Sequence, residues 1–175
     1  MNPFKLLQDL AQKSRSHAAG LPAQEAVTKT WSGVAFRVAG GRFLSPLGEV
    51  VEVLDVPKFT QVPGVKPWVK GIANVRGRLL PLMDFAAYLD APSNRLLRTR
   101  KVLVVEYKSI LAGLIVDEVL GMQHFAADDF QKTTSPVSEG ILPYIMGEFP
   151  RDDRVWTVVS LFKLAQDEKF VQVAS

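Results

Sequence analysis

The sequence of 175 residues contains no cysteine, which excludes disulfides, thiol nucleophiles and thiolate metal sites. Histidine is nearly as scarce. His17 and His124 are the only two, and neither stands in an HExxH or Cys/His spacing, so no zinc cluster or histidine-dependent triad is signalled. Ser45, Ser135 and Ser138 have no nucleophile-elbow context. Phosphate-cradling loops are lacking as well, since Gly40-Gly41 is a lone pair of the kind hairpin turns use. The acidic pairs Asp128-Asp129 and Asp152-Asp153 offer carboxylates, but each falls where a polar turn or cap is expected. No apolar run reaches the roughly 20 residues that a membrane helix needs. The longest, residues 110–116, stops at Asp117, and the first residues show no signal-peptide pattern. The expectation is a soluble intracellular protein; the missing motifs count against an enzyme, and an Asp pair such as Asp128-Asp129 stays as the rival catalytic reading.

What the sequence does have is a globular composition, 47% hydrophobic and 22% charged, with a formal charge of only +3. That charge is too small and too evenly spread to demand nucleic acid as a partner. Residues 3–15 place Phe4, Leu7 and Ala11 at helical spacing, with Leu6 and Leu10 beside them. This predicts an amphipathic helix capped by Asn2, with Pro3 at its first position. Residues 16–30 mix Gly20, Pro22 and polar residues as a linker does, which sets the expected boundaries at 1–30 and 31–175.

From Trp31 onward the rhythm is of short strands. Val34, Phe36 and Val38 alternate, Ala39-Gly40-Gly41 supplies a turn and residues 42–46 run back, predicting a hairpin. Further strands are expected at 49–54, at 69–75 and 79–83 around Arg76-Gly77-Arg78, and a short helix from Asp84 to Tyr88. The second half repeats the pattern with residues 102–105, a Tyr107-Lys108-Ser109 turn and residues 111–116. Superposing Phe36 on Val104 brings Glu49 over Asp117, a hint of two similar barrels. A strand at 155–159 and a helix over 161–168 capped by Ser160 close the chain. The fold class expected is all-β with short helices. The basic stretch of Arg95, Arg98, Arg100 and Lys101 reads as a solvated loop before a strand.

The densest stretch of signal is residues 65–84. It runs Pro67-Trp68-Val69, then Gly71-Ile72-Ala73-Asn74-Val75-Arg76-Gly77, then Pro81 and Asp84. By chemistry alone, the Arg76 guanidinium serves either the carbonyls of its turn or a partner. Taken together, this pattern resembles the signature of CheW-type coupling proteins. Glu49-Val50-Val51-Glu52-Val53 before it, and Ala112-Gly113-Leu114-Ile115-Val116-Asp117-Glu118-Val119 after it, agree in order and spacing. Trp31-Ser32-Gly33, Pro63-Gly64-Val65-Lys66-Pro67-Trp68, Gly121-Met122-Gln123-His124-Phe125 and the N-terminal extension look most like the PilI-type branch, which serves the chemosensory system controlling type IV pili and twitching motility.

The resemblance implies two SH3-like five-stranded β-barrels around a shared hydrophobic interior, with an N-terminal helical extension and no catalytic or cofactor site. It implies two partners, a CheA-like histidine kinase and the cytoplasmic tip of a methyl-accepting chemoreceptor, and recruitment to membrane-bound arrays without insertion. Carried over by position, Val50 and Glu52 face the kinase, while Arg76 and Met122 face the receptor. Gly71, Asn74, Gly77 and Asp117 support turns and backbone. An ordinary core position is the competing reading for Val50, and core filling for Met122. Two other functions remain in view: coupling for flagellar chemotaxis, and a nucleic-acid-binding β-barrel suggested by arginines beside aromatic residues. Against the latter, Phe36 and Phe43 alternate as core residues do.

Overall fold

Apolar alternation with tight turns dictates most of the architecture. The computed structural model describes residues 29–137 and 139–172, so the helix and linker expected at 1–30 fall almost wholly outside the described residues, as do His17 and Ser138. Strand β1 (Thr30–Val38) turns through Ala39 and Gly40, both left-handed, into β2 (Gly41–Pro46). Then come β3 (Glu52–Asp55), β4 (Val69–Val75), β5 (Arg78–Asp84) and α1 (Phe85–Tyr88). The second half holds β6 (Lys101–Tyr107), β7 (Ile110–Val116), β8 (Glu118–Ala126), β9 (Ile145–Arg151) and β10 (Arg154–Val159), followed by α2 (Leu161–Gln166) and α3 (Glu168–Val171).

These strands make two five-stranded sheets. Sheet A has the order β8-β1-β2-β10-β9, and sheet B the order β3-β6-β7-β5-β4. The all-β class with short helices is therefore what the chain adopts. The two sheets share one plan: a central hairpin, a third strand antiparallel to its first strand, and a second hairpin entering parallel to its second strand. Sheet B comes from one continuous stretch of chain, whereas sheet A is assembled from both ends of the folded body.

Burial follows this plan. Ala35, Leu44, Phe125, Phe149, Trp156 and Val158 fill a cluster on sheet A, and Ala73, Leu80, Leu82, Val102, Val104 and Ile115 fill one on sheet B. A larger third cluster joins Phe36, Val38 and Phe43 from sheet A to Met83, Leu103, Leu114 and Val116 from sheet B, with Phe85, Tyr88, Leu161 and Phe170 from the helices. Burying a phenylalanine such as Phe36 or Phe85 contributes on the order of 2–3 kcal/mol.

Four expectations change. The internal repeat is real in topology, but its register shifts by one residue. The hairpins close on Val38↔Gly41 and Tyr107↔Ile110, so Phe36 corresponds to Val105 rather than Val104. Both then face the shared core, as the two-residue period of a strand requires. The strand expected at 49–54 begins only at Glu52, because the Glu49 side chain turns inward to accept from Ser160 Oγ (2.8 Å) and Phe162 N (3.1 Å). The terminal helix breaks at Asp167, whose carboxylate caps α3 through Lys169 N. Arg100, read as part of a solvated loop, is buried.

Candidate functional site

The signature residues meet at one exposed end of sheet B. The β4–β5 turn consists of Arg76 (φ 51°) and Gly77 (φ 81°), both left-handed. Asn74 Oδ1 accepts from Gly77 N at 3.0 Å, which ties the turn to its own strand. Glycine takes such a backbone freely, but arginine does so at a cost of about 1 kcal/mol. The turn alone therefore gives no reason for arginine at this position, and the side chain does. It pairs with Glu52 on edge strand β3, and both groups are open to solvent. Beside this pair, Arg78 donates to both carboxylate oxygens of Glu106 on β6, at 3.0 and 3.5 Å. That pairing raises the Arg78 pKa and lowers that of Glu106.

The two ion pairs border a shallow groove whose floor includes Val75, Leu80, Val104 and Leu111, with Val51 at its edge. Val51 is 58% exposed at this edge, while Val53 and Leu79, at 42% and 67%, are exposed on neighbouring positions whose side chains alternate to the other face of the sheet. Large aliphatic side chains left open around desolvatable ion pairs make a surface suited to a protein partner.

The opposite end of sheet B is held by a buried cluster of charges. Asp84 accepts from Arg100 through both oxygens, at 2.9 and 3.1 Å, and caps α1 by accepting from Ala87 N at 3.2 Å. Asp117 Oδ1 lies 3.3 Å from Arg100 Nε, and Asp117 N donates to Arg37 O at 2.9 Å. Burial pushes the Asp84 carboxyl up, yet the hydrogen bonds and charge of Arg100, with help from Ala87 N–H and Lys70, hold it below the usual carboxylate range. Gly71 serves a different need. A Cβ there would stand 2.2 Å from Thr60 O, in the bridge by which Thr60 pairs with Ile72 across the edge of β4.

The structure thus brings Glu52 and Arg76 into direct contact, and places Asn74, Gly77, Gly71 and Asp117 in turns or backbone support. Val50 is half-buried against the shared core, and the neighbouring Val51 is the valine that lines the groove. Met122 is 53% exposed on β8 opposite Val34, on the other sheet and away from this groove. Sequence reasoning passed over Glu106 and Val51 as contact candidates. The alternation Val104-Val105-Glu106 in a strand was the available signal for Glu106.

Catalytic constellations are sparse. His124 Nδ1 lies 2.7 Å from Ser32 Oγ across the β1–β8 pair, in the open and on a strand edge. Asp128 and Asp129 lie in a 3₁₀ turn, and Asp152 and Asp153 in the β9–β10 turn. Among the described residues, no three His, Asp or Glu side chains are grouped to hold a metal ion, and no helix is long and apolar enough to cross a membrane.

The model of the CheW-like domain matches residues 32–169, a span that includes both sheets. The chain belongs to the CheW-like domain family. Its CheW-like body and the preceding residues are together 51% identical to protein PilI of Pseudomonas aeruginosa over 172 residues, 98% of this chain and 96% of PilI. The chemotaxis protein CheW of Rhizobium meliloti is 27% identical over 136 residues, 78% of this chain and 88% of that protein. In fold, the chain superposes on the scaffolding protein TtCheW of Thermoanaerobacter tengcongensis with a TM-score of 0.69 at 22% identity, covering 81% of this chain and 96% of that one.

Proposed function

We propose that this chain is a non-catalytic adaptor that couples methyl-accepting receptors to a CheA-type histidine kinase, in signalling that controls type IV pilus twitching motility. It works in the cytoplasm, recruited to receptor arrays at the membrane. The observation that carries the reading is the open groove of sheet B, where the Glu52–Arg76 pair stands beside exposed Val51 over an apolar floor of Val75, Leu80, Val104 and Leu111. The extended likeness to PilI supports the choice of pathway.

In this reading Glu52, with the valines beside it, meets the kinase, and Arg76 meets the receptor, while Met122 adds an apolar contact on sheet A. Because Glu52 and Arg76 hold one another, a partner that draws Arg76 away alters the charge presented by Glu52. Coupling then runs through one exposed ion pair, whose own contribution to stability is under about 1 kcal/mol.

The test is a pull-down with the full chain as bait, its captured proteins identified by mass spectrometry, repeated with Arg76→Ala and Glu52→Lys. The reading expects a CheA-type kinase and a methyl-accepting receptor, with the receptor lost from Arg76→Ala, the kinase lost from Glu52→Lys, and melting temperatures unchanged. Recovery of neither protein by a folded bait refutes it. A deletion strain that loses swimming and keeps twitching would assign the chain to flagellar chemotaxis instead.

A further inference from the structure

Sheet A carries a charge arrangement that its own fold does not justify. Arg37 on β1 and Arg42 on β2 are direct cross-strand partners, a placement that costs stability because like charges face each other at short range. Arg154, at the start of β10, adds a third positive charge beside Arg42, and Arg95 approaches from the other side. Glu118 is shared between Arg37 (3.5 Å) and Arg95 (4.0 Å), while Arg42 and Arg154 form no ion pair among the described residues. Partial burial lowers the Arg42 pKa, and the nearness of Arg154 and Arg37 lowers it further against the pull of Glu118. The Arg42 guanidinium stacks 5.6 Å from the centre of the Trp156 ring, which fixes its position while leaving its N–H groups free.

We propose that Arg37, Arg42 and Arg154 on the outer face of sheet A form a docking surface for an acidic segment of a protein partner, separate from the Glu52–Arg76 groove on sheet B. Arg42 and Arg154, held beside Arg37 without an ion pair of their own among the described residues, are a local conflict, and such conflicts in natural sequences mark sites that are satisfied on binding. Asp152 and Asp153 border the same shallow groove as Arg42, Arg151, Arg154 and Trp156. Their charges penalise a uniform polyanion such as a nucleic acid strand or an anionic membrane. A peptide escapes that penalty by placing carboxylates on the arginines and neutral or basic residues beside the aspartates.

The proposal is tested with the full chain and a fluorescent peptide of alternating glutamate and serine, titrated by anisotropy. Three versions are compared: the natural chain, Arg42→Gln/Arg154→Gln, and Lys58→Gln/Lys66→Gln, which removes the same charge elsewhere. The expected result is binding that weakens with salt and falls roughly five- to tenfold in the arginine variant, as two exposed ion pairs allow. The lysine variant should bind as the natural chain does, and the melting temperature of the arginine variant should hold or rise as the repulsion is relieved. The proposal is overturned by absent binding, by equal loss in the lysine variant, by a lower melting temperature in the arginine variant, or by tighter binding to a thymidine oligonucleotide or phosphatidylserine vesicles.

Discussion

Arg76 and Arg100 look alike in the sequence and do opposite work. Arg76 is held in a strained turn with its charge in the open, while Arg100 lies at 3% exposure with Asp84 and Asp117 around it. Removing one member of a buried pair strands the other, so Arg100→Ala should cost about 3–5 kcal/mol in urea unfolding, against under about 1 kcal/mol for Arg76→Ala. Acid should expose the same pair. Asp84 is held below its unfolded value of about 3.9, so the stability it contributes is complete above that pH and is lost as pH falls from there through the lower folded value. The urea midpoint should therefore drop below about pH 4, with a shallower drop in Asp84→Asn, which starts from a lower value at neutral pH. The turn at Arg76 was legible from the glycine that follows it between two apolar strands, but its candidacy as a contact came from the CheW-type signature around it. The role of Arg100 was not legible, because nothing local distinguishes it from Arg95 or Arg98, and its partners come from β5 and from the bend before β8.

Elements were legible where local chemistry and packing agree. The hairpins of β1–β2, β4–β5 and β6–β7 announce themselves by alternation around two-residue turns, and the Ser160 cap by its place before an apolar helix. They were misread where a distant partner decided. Glu49-Val50-Val51 has the composition of a strand, yet the pull of Ser160 and Phe162 on Glu49 delays β3 until Glu52. Ser160 thus has two tasks, accepting from Lys163 N at 3.2 Å and donating to Glu49. Ser160→Ala should lower stability by about 1–2 kcal/mol, more than a simple cap, because it also leaves a buried carboxylate short of a donor. The melting temperature of Glu49→Gln/Ser160→Ala, compared with the two single variants, would measure that coupling.

At the scale of the whole molecule, a polar chain braces the shared core. Tyr88 OH and Tyr144 OH are 2.7 Å apart, and Tyr144 donates to Asp167 at 2.8 Å, linking α1, the 3₁₀ turn before β9 and the C-terminal helices. Burial, with the bonds to Tyr88 and Asp167, pushes the Tyr144 hydroxyl far above its ordinary value, so it keeps the proton it donates at any physiological pH. The two-sheet plan was legible as a repeat, although its register was not, because a shift of one residue leaves the apolar composition of a strand almost unchanged. The division of strands between the sheets also sets an order of events during synthesis. Every strand of sheet B has left the ribosome once residue 116 has, but the first hairpin, made earliest, must wait for β8 and β10 before it has neighbours. Until then Ala35 and Leu44, whose cover is Phe125, Phe149, Trp156 and Val158, lie bare, and this is the interval in which the nascent chain is exposed to aggregation or to a chaperone. A chain ended after Asp117 freezes that interval, and it should keep strand signal in circular dichroism while binding a hydrophobic dye that the full chain ignores.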